Sequence, residues 1–441
     1  MIASVGRMMR KGGGGLAWPA GMKEHIKAWY DPKKQKLTNY DVIESYTEDF
    51  TSNNWKHTNN VTVTSNSFRL TYGNLTYELY PIKDYNTKPM TVIVKGLVGI
   101  KGFIRYRYGQ KDYIDINKDG VYYLPAKVDD VTVLGFQTHF KSECDITITQ
   151  LPTSILKDFS GNGNHAYLYG GKGKLNSGMG LYKVDFTSWR KSSVQTEVKP
   201  DVVKVTPNTS DYLFIQYANS VEIPSYKIKV IGLGDNVLKY QYATENGRKE
   251  INIVEGENEL PTSIKVSNDY QIGYRLTPGT SVFTITQIPD YPDQLCYDGK
   301  MYAVCYGFPI LTDYTVMAER TWFENRNVFL AKGNITTEAK YAFIFERFKP
   351  DGVMTVQSFG AWNDVVSTTD SCISYLTKNK YNGIDIRSGI GADDDMLSIG
   401  GALNKGNIEL TSVCCHGAII VADRSFTEEE INWLKDNLFR K

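Results

Sequence analysis

The turn DFSGNGN places oxygen-bearing side chains at a spacing that suits a divalent cation. Asp158, Ser160 and Asn162 alternate along this turn, and Ca²⁺ binds carboxylate, hydroxyl and amide oxygens from such closely spaced loop positions. A calcium loop of this kind also needs a glutamate at its twelfth position, where this chain has Tyr169. The same side chains can close a structural turn by accepting nearby backbone N–H groups. We favour the turn, with calcium as the alternative.

Two further acidic clusters raise the same question. In DINKDG, Asp115, Asn117 and Asp119 have calcium-loop spacing, but the twelfth position is Ala126 and the flanking segments have the pattern of strands. A hairpin turn explains that segment equally well. In GADDDML, three consecutive aspartates at 393–395 are typical of a solvated turn, with an oxygen-lined cation site as the alternative. We therefore predict no cofactor, and calcium is the candidate metal.

Tryptophan occurs beside amide and carboxylate side chains at two places, and this mixture suits sugar binding. Aromatic rings stack on the C–H faces of sugars, while amides and carboxylates pair with hydroxyl groups. One candidate site is Trp362 with Asn363 and Asp364, and the other is Trp322 with the polar residues 325–327 that follow it. Both tryptophans adjoin apolar residues, so core packing is the competing interpretation.

No familiar catalytic pattern occurs in the sequence. There is no E-x-D-x-x-E strand that would place an acid and a nucleophile on one face for glycoside cleavage. The chain also lacks a G-x-S-x-G elbow, an H-E-x-x-H helix and a GxxxxGK[ST] loop. Only five histidines are present, and the isolated His165 and His416 are expected to be turn and strand residues. We predict that the protein is not an enzyme.

Composition narrows the possible classes of protein. The 441 residues carry 50 Lys plus Arg and 49 Asp plus Glu, a net charge of +1 that argues against a dedicated nucleic-acid binder. No run of 18 apolar residues predicts a membrane span, and the N-terminus lacks the apolar stretch of a secretory signal. Six cysteines are too few for a disulfide framework, with Cys296 and Cys305 the most plausible pair.

The elements that would position these side chains are nearly all strands. Thirty tyrosines and short runs rich in Val, Ile, Thr and Tyr recur between glycine-containing turns, which predicts an all-β protein. Helical periodicity is confined to the end of the chain. There, Thr427 and Glu430 have the spacing of a capping box, and Ile431, Leu434 and Leu438 form one apolar stripe.

An internal repeat organises the chain. The segment RYRYGQKDYIDINKDGVYYLPA from residue 105 corresponds to KYQYATENGRKEINIVEGENELPT from residue 239, and ITITQLP corresponds to FTITQIP. The offset is 134 residues at the start of the long segment and, after a small gap, 136–137 residues from its end onward. Each copy holds seven or eight short strands, enough for a two-sheet sandwich. We therefore predict two inserted β-sandwich modules, a first module at 46–152 and a second module at 185–289.

The pieces outside the modules resemble a known family. In order they carry KDFSGNGNHA, CYDGKMYAVCYGFPILTDYTVMAERTW and AIIVADRSFTEEEINWLK. This resembles the concanavalin A-like, laminin-G-type lectin domain, with its DxSGNGNHG turn, its FDGxDDY hairpin and its final strand that enters an LTxEEI helix. The matching residues are Asp158, Ser160 to His165, Tyr297 to Gly299, Tyr302, Ala422 to Arg424, Phe426, Thr427, Glu429 and Glu430. The resemblance implies a jelly-roll sandwich built from 24–45, 153–184 and 290–441, called here the host domain.

A second resemblance concerns the whole arrangement. An AWYDPxKQ opening, a split laminin-G-like domain and an FPILTDYTV segment resemble head-fibre and appendage proteins of the crAss-like phages of Bacteroides. The residues that carry it are Trp29 to Lys33, Gln35 and Phe308 to Val316. This implies a virion location after synthesis in the host cytoplasm.

Residues 1–23 are predicted to be a flexible anchoring arm. Four consecutive glycines at 12–15 have no preferred conformation, and Leu16, Trp18 and Pro19 follow them as an apolar tag. We expect this tag to bind other virion proteins, and we expect homodimers or homotrimers, because multiple copies strengthen weak adhesion.

The expected function is that of a virion structural protein that displays lectin-like domains and binds host or mucosal glycans. The expected partners include neither nucleic acid nor membrane. The alternative functions are a free carbohydrate-binding protein and, less favoured, a polysaccharide-cleaving enzyme.

Overall fold

The computed structural model describes residues 17–37, 42–128, 134–173, 180–192, 196–208, 212–323, 327–335, 339–349, 352–366, 371–405 and 407–439. In those residues the chain forms six β-sheets whose strands are antiparallel, apart from one parallel pair. The prediction of an all-β protein with a short helix at the end of the chain is therefore confirmed. No helix in these ranges is long and apolar enough to cross a membrane.

The chain begins with elements of the host domain. A short 3₁₀ turn (Lys23–His25) leads into β1 (Ile26–Tyr30) and the single-turn helix α1 (Pro32–Gln35). Asp31 caps α1 by accepting the Lys34 backbone N–H at 2.9 Å, and Pro32 occupies the first helical position, where no N–H is needed. The turn ends at Lys36 in the left-handed conformation.

The first module contains ten strands in two five-stranded sheets. They are β2 (Trp55–His57), β3 (Val61–Val63), β4 (Ser67–Asn74), β5 (Tyr77–Pro81), β6 (Met90–Lys95), β7 (Ile104–Arg107), β8 (Tyr113–Ile116), β9 (Gly120–Leu124), β10 (Gly135–Thr138) and β11 (Lys141–Gln150). The sheet orders are β2-β5-β10-β7-β8 and β3-β4-β11-β6-β9. Their inner faces enclose one apolar core that runs from Phe50 to Ile148.

The chain then returns to the host domain through β12 (Ile155–Leu156) and β13 (Ala166–Tyr169) before the second module begins. That module follows a 3₁₀ turn (Phe186–Ser188) and also has ten strands: β14 (Arg190–Lys191), β15 (Thr196–Val198), β16 (Val202–Val205), β17 (Tyr212–Tyr217), β18 (Tyr226–Ile231), β19 (Val237–Thr244), β20 (Gly247–Ile253), β21 (Gly256–Leu260), β22 (Gln271–Thr277) and β23 (Phe283–Ile288). Its sheet orders are β14-β17-β22-β19-β20 and β15-β16-β23-β18-β21. Each strand therefore occupies the place of the strand twelve numbers earlier in the first module.

The two modules also share the contacts that close their ends. The Gln150 side chain accepts the Glu48 N–H and donates to the Glu48 carbonyl, and Gln287 makes the same pair of hydrogen bonds with Val184. Both glutamines are buried, so each satisfies two backbone groups where water cannot. Val184 packs in the core of the second module, one residue before the predicted boundary.

The last segment completes the host domain. Its strands are β24 (Leu295–Asp298), β25 (Tyr302–Tyr306), β26 (Thr315–Trp322), β27 (Val328–Ile335), β28 (Ala339–Phe348), β29 (Met354–Ser358), β30 (Ala361–Asp364), β31 (Ser371–Thr377), β32 (Lys380–Tyr381), β33 (Ile384–Asp385), β34 (Met396–Ile399), β35 (Ala402–Asn404), β36 (Asn407–Glu409) and β37 (Val413–Ala422). Helix α2 (Glu428–Leu434) and a π-helical turn (Lys435–Phe439) follow.

Strands distant in sequence meet in the two host sheets. In one sheet β1 pairs with β37, and in the other β13 pairs with β25. Tyr30, Leu168 and Val421, from three separate segments, lie in one apolar core. The chain therefore builds a single two-sheet sandwich from three segments that the modules interrupt.

Helix α2 covers the outer face of the sheet that contains β37. The capping box is present, because the Thr427 hydroxyl accepts the Glu430 N–H and the Glu430 carboxylate accepts the Thr427 N–H. Ile431 and Leu434 are buried in a second apolar cluster of the host domain, and Leu438 packs partly against it.

The cysteine pairing suggested by the sequence is wrong. Cys296 lies opposite Cys415 on neighbouring strands β24 and β37, whereas Cys305 belongs to the facing sheet. Among the described residues all six cysteines are free thiols.

Candidate functional site

Trp362 lies on the surface at the edge of a host sheet. It sits on β30, the last strand in the path β12-β13-β25-β34-β27-β28-β29-β30, and 37% of its surface is exposed. The competing prediction that it packs in a core is therefore wrong. An edge strand bounded by a tight turn keeps the indole accessible on a rigid support.

Two polar side chains accompany Trp362 on the same face. Gln357 lies directly opposite it on β29, and directly paired residues of an antiparallel pair share a face. The Arg347 guanidinium lies 5.4 Å from the centre of the indole ring. Within the described ranges, Gln357 Oε1 and Arg347 Nε are buried and have no hydrogen-bond partner. We call Arg347, Gln357 and Trp362 the Trp362 platform.

The other two residues predicted with Trp362 have different tasks. Asn363 points to the opposite side of the strand and holds the 387 segment, donating to the Arg387 carbonyl and accepting its N–H, both at 2.9 Å. Asp364 is exposed and pairs with Lys349 at 2.7 Å, an interaction that solvent screens. Asn363 therefore positions the strand, and Asp364 stays available at the rim.

Trp322 is not a binding residue. It is 2% exposed, and its indole N–H donates to Glu346 Oε2 at 3.1 Å inside the host sandwich. A ring without access to solvent cannot stack on a sugar, so the sugar-binding prediction for Trp322 is wrong and the core interpretation holds.

Glu346 centres a buried polar network that the sequence did not reveal. Its backbone has a φ of 61° at a break in the pairing of β28 with β29. This irregularity turns the Glu346 side chain from the outer face of the sheet toward the core. The carboxylate accepts hydrogen bonds from Arg320, from the Ser374 hydroxyl at 2.5 Å and from the Tyr381 hydroxyl at 2.9 Å. Burial, and then the Glu346 charge, raise the pKa of Tyr381. Because Arg320 and Glu346 are fully buried, the network links the two sheets and does not meet a ligand.

The Asp158 turn is saturated by the chain itself. Asp158 accepts the N–H groups of Trp29, Ser160 and Asn164 at 2.8–3.0 Å and the Ser160 hydroxyl at 2.8 Å. The Asn162 amide donates to the Ile26 carbonyl at 2.7 Å. A carboxylate has about four acceptor positions, so a cation would have to displace these donors. The geometry favours a turn that ties β1 to the rest of the host domain.

In the acidic loop 393–395, Asp393 forms a salt bridge with a lysine side chain of the same protein. The Lys332 ammonium, fully buried on β27, lies 2.9 Å from the Asp393 carboxylate and also contacts the Asp394 carbonyl. Burial lowers the pKa of Lys332, and the carboxylates of the loop oppose that shift. In the described part of the chain no group of three His, Cys, Asp or Glu side chains is arranged to hold a metal.

The DINKDG segment forms the turn between β8 and β9. Asp115 pairs with Arg105 at 2.7 Å, and Asp119 accepts the N–H groups of Gly96 and Leu97 at 3.0 and 2.7 Å. The two carboxylates therefore serve different partners, as in a structural turn. The hairpin prediction is wrong, because β8 pairs with β7 and β9 pairs with β6, so the turn carries the chain from one sheet to the other.

Both histidines highlighted by the sequence are structural. His165 Nδ1 accepts the Asp158 N–H at 3.0 Å within the turn. His416 is fully buried beside the Tyr297 hydroxyl, and burial lowers its pKa to about 4, so the imidazole is neutral at pH 7.

The described end of the arm packs on its own chain. The Trp18 ring lies 4.9 Å from Trp433 and 6.1 Å from Trp29, centre to centre. The Pro19 carbonyl accepts the Met22 N–H at 3.1 Å. Leu16, the other predicted anchor, lies outside the described residues. Trp18 thus has an intramolecular contact, and its binding to other subunits stays a prediction.

Comparisons with known proteins name no family. No protein-family model and no curated protein matches the chain. Among solved structures, Trypanosoma rangeli sialidase in complex with sialic acid shares 10% identity over 86% of this chain and 83% of that chain, with a TM-score of 0.24. The CBM22-1-CBM22-2 tandem domain of Paenibacillus barcinonensis Xyn10C shares 8% identity over 56% of this chain and 96% of that chain, with a TM-score of 0.16. Scores this low carry no argument about fold or function.

Proposed function

We propose that the protein is a structural protein of a phage virion, a head fibre or capsid appendage, that binds host or mucosal glycans through its lectin-like host domain. The observation that carries the adhesive part is the exposed Trp362 beside the unpartnered Gln357 Oε1 and Arg347 Nε. The virion part rests on the resemblance of the split chain to crAss-like phage appendage proteins.

The finer description of the fold belongs to this proposal. A jelly roll of the laminin-G type, made of 24–45, 153–184 and 290–441, accounts for two sheets that share one core drawn from three segments. The modules at 46–152 and 185–289 would then be insertions displayed from its early loops.

The Trp362 platform has the parts that sugar binding requires. The exposed indole offers a flat apolar face for the C–H groups of a pyranose ring. Gln357 Oε1 and Arg347 Nε are closed to solvent in this conformation, so a sugar would reach them only after the Trp362 ring shifts. A sugar hydroxyl could then donate to Oε1 and another could accept from Nε. A single shallow site binds weakly, so dimers or trimers on a particle would raise the avidity.

The virion role is tested by mass spectrometry of purified phage particles. We expect peptides of the full-length chain at a constant ratio to the major capsid protein across gradient fractions. Absence of the chain from intact particles would overturn the virion role and favour a free carbohydrate-binding protein.

The adhesive role is tested with the purified full-length protein on an array of capsular and mucosal glycans. We expect Trp362→Ala to lower binding at least about tenfold, because stacking and the shielding of Gln357 are lost together. Tyr123→Ala is the matched control, since Tyr123 is an aromatic residue 63% exposed on the first module. Equal loss in both variants, or no signal from the unmodified protein, contradicts glycan binding at this platform.

A further inference from the structure

A second aromatic site lies at the start of the host domain. Trp18, Ile26, Trp29 and Phe159 form its apolar walls, with Lys23 and Lys34 beside them, around a cavity of about 320 Å³. Small-molecule sites have volumes of roughly 300–1,000 Å³, so one sugar residue fits this space. We call these six residues the aromatic cleft.

Lys34 is held over the aromatic rings by local structure. The cap at Asp31 and the turn of α1 place its ammonium 3.6 Å from the centre of the Trp29 ring and 4.8 Å from that of Phe159. Burial lowers the pKa of Lys34, and the negative charge of the nearby Asp31 opposes that shift. Among the described residues no carboxylate lies within salt-bridge distance of this ammonium. A bound anion could therefore pair with this ammonium without displacing a salt bridge.

Trp29 contributes a donor that the chain does not use. The side chain is 8% exposed, and its indole N–H has no acceptor in the part of the chain that the structure describes. A buried N–H without a partner is unfavourable, and a ligand oxygen would relieve it. The cleft therefore combines apolar faces, two ammonium groups and one N–H donor that has no acceptor among the described residues.

We propose that the aromatic cleft binds a carboxylate-bearing sugar ring, such as a uronic-acid residue of an acidic polysaccharide. The aromatic walls contact the C–H face of the ring, Lys34 and Lys23 bind the carboxylate, and the Trp29 N–H donates to a ring substituent. This inference rests on the proposed glycan-binding function and names the ligand class for a site other than the Trp362 platform. A neutral sugar would offer no negative charge to either ammonium group.

The test is isothermal titration of the full-length protein with a glucuronic-acid tetramer and with the matched glucose tetramer. We expect the acidic tetramer to bind at least about tenfold more tightly and to weaken as salt increases, because the carboxylate–ammonium contact is charged. Lys34→Gln should reduce affinity for the acidic tetramer about tenfold or more. Lys33→Gln, which removes the same charge from a side chain that pairs with Asp293 instead, should leave it unchanged.

The results separate this inference from the proposed function. Equal binding of the two tetramers, no binding of the acidic tetramer, or equal effects of Lys34→Gln and Lys33→Gln would each overturn the acidic-sugar site. Glycan binding that is lost in Trp362→Ala but unaffected by Lys34→Gln would overturn the cleft alone and leave the proposed function standing. Binding of free glucuronate as tightly as the tetramer would support the same carboxylate chemistry and restrict the site to one residue.

Discussion

The two inserted modules have the same ten-stranded topology but differ at particular buried and loop positions. Both begin with the letters DFTS, at 49–52 and 185–188, and both use a glutamine near the end of the last strand to bind the entering chain. The copies differ at the residue before DFTS, which is Glu48 in the first module and Val184 in the second. The comparison separates residues that both copies need for the shared topology from residues that change the local stability of one copy.

The residues that the two modules share either form hydrogen bonds with backbone groups or, as glycines, leave room for a neighbouring strand to approach closely. Gly135 has a φ of 103° and approaches the Leu79 carbonyl, and Gly273 has a φ of 124° and approaches the Phe214 carbonyl. Each glycine lies on the strand that links two neighbours at the centre of its sheet. Because only glycine fits such a close backbone contact at positive φ, these positions tolerate no side chain.

One difference lies in the core. Glu48 is 3% exposed, and its carboxylate accepts the Trp55 indole N–H, the Tyr85 hydroxyl and the Lys88 backbone N–H. Val184 is buried at the corresponding position and makes only apolar contacts through its side chain. The same backbone position therefore accommodates either a fully paired carboxylate or a methyl-bearing side chain.

The other difference lies in a loop. In the second module the Asp235 carboxylate accepts the backbone N–H and the hydroxyl of both Thr280 and Ser281. The corresponding loop of the first module, 98–102, reads VGIKG and contains no carboxylate. Acid should therefore release the 280–281 segment of the second module through Asp235, a contact that loop 98–102 of the first module does not contain.

The largest expected effect comes from filling the glycine positions. Gly135→Ala and Gly273→Ala each add a Cβ that would lie 2.5 Å from a backbone carbonyl oxygen. We expect each to lower the free energy of unfolding of its own module by about 4 kcal/mol, from backbone strain plus the clash. Hydrogen exchange of the full-length protein, read separately for each module, measures this.

Gly99→Ala is the control for that prediction, because Gly99 has a φ of 85° but nothing lies within 4 Å of the added Cβ. It should cost about 1 kcal/mol. A cost for Gly135→Ala no greater than that of the control would contradict the close approach, and unequal costs in the two modules would break their equivalence.

A smaller effect is expected from making the first module resemble the second. Glu48→Val leaves the Trp55 N–H, the Tyr85 hydroxyl and the Lys88 N–H without their acceptor, so the first module should lose about 3 kcal/mol. Glu48→Gln retains one acceptor oxygen and should cost about half as much. Thermal unfolding and hydrogen exchange measure whether Glu48→Val costs more stability than Glu48→Gln. If Glu48→Val leaves the stability of the first module unchanged, the carboxylate is dispensable.

The smallest effect concerns pH. Backbone hydrogen bonds from Thr280, followed by the Ser281 hydroxyl, hold the pKa of Asp235 below its ordinary value. A lowered folded-state pKa means that this contribution is complete above about pH 4 and is lost as the pH falls through the folded-state pKa. Exchange of the 280–281 amides, corrected for intrinsic rate, should rise in acid while that of 98–102 does not. Asp235→Asn should remove this pH dependence, and an unchanged profile in that variant would contradict the assignment.

Much of the fold was predictable because strands, turns and caps are local patterns. The capping box at Thr427 depends on residues close together in sequence, and the repeat that gives two equal modules is visible when the chain is compared with itself. The Trp362 candidate was also found, because a tryptophan among polar residues is visible in the sequence.

The partners of Trp362 could not be found in the same way. Gln357 and Arg347 reach it only through the pairing of β28, β29 and β30, and Trp322 has a similar sequence context but faces inward. Whether a strand residue faces solvent depends on register, and a shift of one residue reverses it.

The amino-acid sequence by itself determined the strand content and the helix cap of this protein, because these follow from side-chain periodicity and backbone preference within a few residues. It also determined the duplication, because the two copies keep similar letters in the same order. Tertiary structure alone decided that Lys332 fills the acidic loop, that Glu346 turns into the host core and that the aromatic cleft forms around Lys34. Each of these joins residues from separate strands, loops or chain segments, and only the folded chain brings their charges and rings within contact distance.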